Sequence, residues 1–196
     1  AARRESFSAD VVDRLRATPG VENAAVTAGM PFGGSYATSL FLPGRDSLPR
    51  LPGGFGDPEV SAVSREYFAT MGTRILRGRA FTATDGEHAP RVMVIGESMA
   101  KKIWPSEDAI GKCVRVNADT MPCTTVIGIA EDVRRGKISE TEMHYYMPID
   151  QFHPQEGGIF VRTSGTASDK TDQVRRELQH LMSGVSYVTV TPMSTV

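Results

Sequence analysis

The chain has 196 residues, with 22 basic and 23 acidic side chains and a formal net charge of −1. That length suits one large domain or two small ones and can bury a core without disulfide or metal staples. The charge balance, with no long single-sign run, gives no support for binding to nucleic acid or a membrane surface, and no apolar run approaches the roughly 18 residues that cross a bilayer.

The N-terminal AARRESFSADVV has neither an apolar signal-peptide core nor an initiating Met, which points to an internal piece of a longer protein. Phe7, Val11, Val12 and Leu15 recur at helical spacing and predict an amphipathic helix over residues 5–17, ended by Pro19-Gly20. Val21 to Ala28 reads as a strand. Residues 29–57 hold seven Gly and four Pro and read as a long loop with a short strand-like stretch near Tyr36 to Leu42. Val60 to Val63 is a strand, and Arg65 to Met71 a short helix capped by Gly72. Ile75 to Phe81 is a basic, turn-flanked segment. Arg91 to Ile95 is a β-rich apolar strand, and Ser98 to Trp104 a helix stopped by Pro105.

Lys112 to Asn117 and Thr124 to Ala130 pair as a hairpin, with Asp119 and Pro122 among the turn residues. His144 to Pro148 and Gly158 to Thr163 are strands. Asp169 to Met182 is a helix with Val174, Leu178, Leu181 and Met182 on its apolar face, Ser168 as N-cap and Gly184 as stop. Tyr187 to Thr191 is a closing strand. The fold class expected is α+β. Both chain ends, 1–64 and 151–196, form one α/β subdomain, and 65–150 is inserted as a second, mostly β one.

The candidate reaction centres are weak. Gly96-Glu97-Ser98-Met99-Ala100 follows a strand and opens a helix, as a nucleophile elbow does, but Ala100 stands where that motif has Gly. No spacing places a histidine beside Ser98, so its hydroxyl is expected to bond its own backbone in a helix first turn. His88, His144, His153 and His180 are scattered without an i, i+4 ligand partner, so no metal site is expected. Gly33-Gly34 lacks the Lys-Ser/Thr of a phosphate loop. Arg74, Arg77 and Arg79 read as a solvated strand edge in preference to an anion site.

Cys113 and Cys123 fall near opposite positions of the expected hairpin. In an oxidising compartment that geometry supports a disulfide; in the cytosol both would remain free thiols. Within 29–57, Phe32, Tyr36, Leu51 and Phe55 are candidate partner-contact residues, and the alternative is that the apolar groups of this stretch fold back onto the core as a lid.

Four stretches carry a family resemblance in order: LRATPGVENAAVTAGMPFGG (15–34), VSREYFATMGTRILRGRAFTATD (63–85), PRVMVIGESMAKKIWPSEDAIGK (90–112) and VIGIAEDVRRG (126–136). Together they cover somewhat under half of the chain. They resemble the extracytoplasmic, or periplasmic, core domain of MacB/FtsX-like ABC transporter permeases. The resemblance implies a domain inserted between the first and second membrane spans of a permease, built from a porter-like α/β part and a mostly β part.

It further implies a noncatalytic domain on the periplasmic face of a bacterial inner membrane. Such a domain couples ATP-driven membrane-helix motion to export or to a partner. No catalytic, cofactor or metal residue is carried over. The implied partners are the permease helices, a cytoplasmic ATP-binding subunit or domain acting indirectly, a second permease copy and a periplasmic adaptor. Cys113, Cys123 and residues 43–57 match no motif of the family. The other readings are an extracytoplasmic ligand-binding or sensor domain, and a small serine hydrolase using Ser98.

Overall fold

A computed structural model describes residues 10–28, 36–45, 48, 58–133, 143–152, 157–181 and 188–195. Residues 10–16 are helical (α1). The other helices are α2 (Tyr67–Met71), α3 (Glu97–Ile103) and α4 (Ala167–Leu181). The strands are β1 (Val21–Ala28), β2 (Tyr36–Ala37), β3 (Leu40–Phe41), β4 (Glu59–Val63), β5 (Ile75–Gly78), β6 (Val92–Gly96), β7 (Cys113–Val116), β8 (Thr124–Ala130), β9 (His144–Pro148) and β10 (Gly158–Thr163). They form a mixed sheet in the order β10-β1-β4-β9-β6-β8-β7-β3, with β2 also on β4 and β5 also on β8.

The centre of the sheet is β9. All five of its residues are buried. It runs parallel to β4, with Val60 opposite Tyr145 and Ala62 opposite Met147, and antiparallel to β6. A strand with neighbours on both edges and cover on both faces has no polar side to offer, so its sequence, HYYMP, carries no charged carboxylate or ammonium.

Strand residues alternate between faces, and the register therefore sorts the core. Tyr145 and Met147 of β9 and Met93 and Ile95 of β6 pack with Met99, Ala100 and Ile103 of α3 in one cluster. Tyr146, Val92 and Val94 point the other way and meet Tyr67 and Phe68 of α2 and Phe81. Phe68 lies edge-on to Tyr146 with ring centroids 5.0 Å apart. A third cluster joins the two ends of the chain: Val11, Val12 and Leu15 of α1, Ala24 of β1, Val174 and Leu178 of α4, and Val188.

Cross-strand partners share a face. The pairs Ala28 with Ala62 and Val60 with Tyr145 therefore put α1, α3 and α4 on one face of the sheet and α2 on the other.

The helix ends follow from local chemistry. Gly72 takes the left-handed conformation (φ 74°) and its N–H returns to the Phe68 carbonyl, closing α2 as expected. α4 begins at Ala167, ahead of the expected Ser168 cap, with the Asp169 N–H bonded to the Thr166 carbonyl at 3.1 Å. The basic segment after Gly72 contains a true strand, β5, paired with β8.

The closing strand departs from expectation. The described part of the closing strand, 188–191, makes no ladder. Its burial alternates as a strand's would, but among the described residues no strand is paired with it. Met182 and Gly184 lie outside the described residues.

Tyr146 holds the α2 cluster to the central strand. Replacing it with Ala should cost about 3–5 kcal/mol, as other buried aromatic truncations do. Urea unfolding should show an earlier midpoint with an unchanged slope; a midpoint within error of the parent would refute the placement of this side chain in the core.

Candidate functional site

A cleft of about 620 Å³ opens at the carboxyl ends of the parallel strands β4 and β9, where Val63 and Pro148 line it. One wall is α1, through Val12 and Asp13. The opposite wall is the loop of residues 82–89, and the floor includes Phe81. Asp13, Glu66, Glu87 and Asp150 give the rim an acidic character, against Arg65 and His88. Arg65 is already engaged with Glu66 at 2.7 Å.

Two buried polar side chains hold the loop wall in place. The Asp85 side chain is only 6% exposed. Its carboxylate accepts from both terminal nitrogens of Arg79 (2.7 and 2.9 Å), from the Thr82 N–H (2.8 Å) and from the Thr82 hydroxyl (3.0 Å). The hydrogen bonds from Arg79, and then those from Thr82, hold the Asp85 carboxyl below its ordinary value, against the opposing effect of burial.

Gln151 binds the same loop from the other side. Its amide donates to the carbonyls of Asp85, Gly86 and Pro90 (3.3, 3.1 and 3.3 Å), and its oxygen accepts the Val92 N–H at 3.1 Å. The side chain thus continues the ladder beside β6 beyond the end of β9. Nothing in the local sequence marks Gln151. For Asp85 the signal was present in the turn residues of Thr82-Ala83-Thr84-Asp85.

The three arginines lie on a solvated strand edge, as expected: their side chains stay exposed on and beside β5, which among the described residues pairs with β8 alone, and each is ion-paired. Arg74 pairs with Glu131 at 2.8 Å, Arg77 with Asp108 at 2.6 Å and Arg79 with Asp85. Each ties β5 to a different neighbour: the end of β8, the loop after α3, and the cleft wall. Glu131 and Asp108 are both held below their ordinary values, first by backbone N–H donors (Arg74 and Ile110) and then by their arginines.

Ser98 sits in the first turn of α3, after the strand-turn-helix layout read from the sequence. Its hydroxyl donates to Asp132, not to its own backbone, and its N–H points at both Asp132 oxygens at 3.1 Å. Asp132 therefore caps α3 from the end of β8, where a carboxylate also complements the helix dipole. A Cβ on Gly96 would lie 2.8 Å from that carboxylate, so the glycine preserves the cap. This is helix-cap geometry, with the Asp132 carboxylate accepting from both the N–H and the hydroxyl of Ser98.

The three described histidines sit on different elements. His144 is buried in β9, its ring edge-on to Tyr146; His88 lines the cleft; His180 is in the last turn of α4; His153 lies outside the described residues. Among the described residues no group of three or more His, Cys, Asp or Glu could hold a metal.

Cys113 and Cys123 are joined, with Cα atoms 5.4 Å apart. Cys113 lies opposite Thr125 across the β7–β8 pair, so the bond runs diagonally and closes the hairpin loop. Tyr36 is partly buried against the largest cluster, and the Tyr145 hydroxyl bonds that of Thr38. Leu40 and Leu42 are buried in the same cluster, so this stretch folds back onto the core, while Phe41 is 36% exposed at the sheet edge. Phe32, Leu51 and Phe55 lie outside the described residues. No helix is long and apolar enough to cross a membrane among the described residues.

Residues 1–181 match the model of the MacB-like periplasmic core domain family. Among curated relatives, the probable export ATP-binding/permease protein MacB of Pseudomonas entomophila (strain L48) is 27% identical over 108 residues, 55% of this chain and 16% of that protein. The macrolide export ATP-binding/permease protein MacB of Aggregatibacter actinomycetemcomitans is 28% identical over 94 residues, 48% of this chain and 14% of that protein. The chain thus spans only about a sixth of these relatives' length.

Two solved structures share the fold. The periplasmic region of MacB from Actinobacillus actinomycetemcomitans superposes with a TM-score of 0.63 at 18% identity, covering 89% of this chain and 73% of that one. The extracellular domain of the noncanonic ABC-type transporter YknZ from Gram-positive bacteria gives 0.58 at 18% identity, over 89% and 81%.

Two measurements probe the site. Asp85→Asn should lose about 2 kcal/mol at pH 7, because a buried charge-assisted network loses its charge and one of its two acceptor oxygens. Since the folded carboxyl titrates below its unfolded value, the lost stability is present above about pH 4 and disappears as pH falls through the folded value. The gap between parent and variant should therefore close in acid; a gap unchanged down to pH 2 would contradict the pairing. Asp132→Ala should cost about 1 kcal/mol through loss of the α3 cap, and a thermal midpoint equal to the parent's would dismiss that role.

Proposed function

The chain belongs to the MacB-like periplasmic core domain family, and from that premise we propose that it is the extracytoplasmic domain of an ABC transporter permease. In this reading it carries no catalysis of its own. ATP-driven movement of the membrane helices displaces the domain as a body, and the domain passes that displacement to exported cargo or to a periplasmic partner. Compact packing suits such a role, because close-packed cores transmit strain and do not absorb it.

The observation that carries the proposal is the joining of the chain ends. α1 and α4 share one hydrophobic cluster, and β1 and β10 pair side by side. A polypeptide entering and leaving through the same half fits a domain inserted between two membrane spans. The Cys113–Cys123 bond supports an oxidising compartment.

Residues 1–64 and 151–196 would form the porter-like part and 65–150 the inserted, mostly β part, with the sheet continuing across them at the β4–β9 pair. The permease helices and an ATP-binding subunit or domain are the expected partners, with a second permease copy and a periplasmic adaptor beyond them. Phe32, Tyr36, Leu51 and Phe55 in the stretch 29–57 are the candidate partner-contact residues, Tyr36 with its ring partly buried against the core.

A second reading, an extracytoplasmic ligand-binding domain, is favoured by one feature: the 620 Å³ cleft at the carboxyl ends of β4 and β9, the end of parallel strands where ligands usually sit. A saturable thermal shift with a small molecule, lost on enlarging Ala89, would favour it.

The insertion model is tested by spin labels at residues 3 and 194. A narrow distance distribution below about 30 Å, roughly the diameter of a small domain, is expected for ends that leave from one face. Ends on opposite faces, with a distance near the full length of the domain, would overturn the model. Apolar spans encoded on both sides of this segment in the parent gene are expected as well.

A further inference from the structure

β3 hangs on the end of the sheet by a short ladder. It pairs with β7 at Leu40–Val116 and Phe41–Arg115, and the Asn117 N–H adds a bond to the Ser39 carbonyl at 2.9 Å. β7 pairs with β8 at Cys113–Thr125 and Val114–Thr124. Just before that point the Val126 N–H reaches the Lys112 carbonyl at 3.0 Å, and the Gly111 N–H reaches the Val126 carbonyl at 2.8 Å. Residues 115–117, the part of β7 that carries β3, therefore run past the start of β8 at Thr124 and overhang it. Ladders this short do not stand alone.

Two links hold the overhang to the loop that leads into β8. Arg115 donates to the carbonyl and the carboxylate of Asp119, both at 2.7 Å, and an exposed pair of this kind contributes little. The Cys113–Cys123 bond is the stronger link, since it ties the first residue of β7 to the residue just ahead of β8.

The bond lies on an accessible side of the sheet. Alternation along β7 sends Val114 and Val116 into the core and Cys113 and Arg115 to the other face. There Phe41 stands opposite Arg115 and is 36% exposed, Cys123 is exposed and Cys113 is half-buried. Exposed disulfides are the ones open to thiol exchange.

What the overhang carries is a cover over the largest apolar cluster. Leu40 and Leu42 are buried in it together with Trp104, Val114 and Val116. The stretch 36–45 is also fixed by β2 on β4, by the Thr38–Tyr145 hydroxyl bond, and by Arg45, which donates to the Ile103 carbonyl at the end of α3 at 2.7 Å. β3 is the fastening between these, and the one that depends on the two cysteines.

We propose that Cys113–Cys123 is a reducible latch on this cover, opened by a dithiol reductant. One thiolate of the dithiol attacks the exposed Cys123 sulfur; the S–S bond breaks, and Cys113 leaves as a thiolate and takes up a proton. The second thiol then attacks the mixed disulfide and releases Cys123 as a thiol. Two electrons and two protons pass to the domain, and the reductant departs as a disulfide. In the reduced chain the loop after β7 regains its freedom, residues 115–117 and β3 open locally, and the apolar surface of Leu40, Leu42 and Trp104 becomes accessible. The inference concerns this chain's own cysteines and does not depend on the permease reading.

Amide hydrogen exchange on the 196-residue chain, oxidised and after dithiothreitol, tests it. Peptides covering 36–45 and 113–123 should exchange about tenfold or more faster in the reduced chain, while β4, β6 and β9 peptides keep their rates. Trp104 is the only tryptophan, and acrylamide should quench its fluorescence more strongly after reduction. A chain carrying both Cys113→Ser and Cys123→Ser should behave as the reduced one with or without dithiothreitol.

A bond that dithiothreitol leaves intact in the folded chain, read by mass after thiol alkylation, would overturn the proposal. So would unchanged exchange at 36–45 in the reduced chain, which would leave the bond as a staple of the hairpin alone. Acceleration that extends to β9 would also overturn it, since the bond would then support the whole domain and not one cover.

Discussion

β9 has to be buried on both faces and bonded on both edges, and most of the molecule is arranged to meet that demand. Its parallel partner β4 supplies one edge and β6 the other. Its alternating side chains need two separate apolar layers, one built around α3 and the other around α2. Without Tyr146 the α2 layer would lose its contact with the sheet centre, and without Tyr145 and Met147 the α3 layer would. The clusters on the two faces are therefore coupled through the central strands, β9 together with β4, β6 and β8, each of which sends side chains to both.

Where β9 ends, side chains take over its work. Gln151 occupies the place of the next residue along the ladder by receiving the Val92 N–H, and it also fixes three carbonyls of the loop behind it. Asp85 holds the same loop from within. The cleft at the carboxyl ends of β4 and β9 thus has one wall made of secondary structure and one made of satisfied polar groups, so its shape is set by hydrogen bonds as much as by packing. The three ion pairs of Arg74, Arg77 and Arg79 are exposed on the arginine side and add alignment more than stability.

Much of this was legible in the sequence because it is local. The strands at 21–28, 144–148 and 158–163 follow from β-rich runs between turn residues, and Gly72 announces its own left-handed cap. The hairpin of residues 113–130 brings Cys113 and Cys123 within bonding reach. What could not be read is what depends on distant partners. Arg74, Arg77 and Arg79 look like a free basic edge until the fold brings up Glu131, Asp108 and Asp85. Ser98 reads as a self-bonded helix residue because Asp132 is 34 positions away. The stretch 187–191 has strand composition, but a strand also needs a neighbour, and sequence pattern says nothing about whether one is present. The β-α-β ending that mirrors the α-β opening already led the sequence reading to a shared subdomain for the two chain ends, and the family resemblance agrees with that layout.

The sheet order has a consequence for how the chain reaches this state. β1 must wait for β10, more than 130 positions later, and β4 for β9, about 85 positions later. Contacts of such sequence separation make for slow folding, since loop-closure entropy is lost before they form. If the polypeptide emerges across a membrane from its N-terminal end, β1 and β4 reach the far side with unpaired edges and stay so until nearly the whole domain has followed. Pairing of β6 with β8, only about 30 positions apart, can form earlier. The inserted half is then the natural nucleus, and the half that holds both chain ends is the last to assemble.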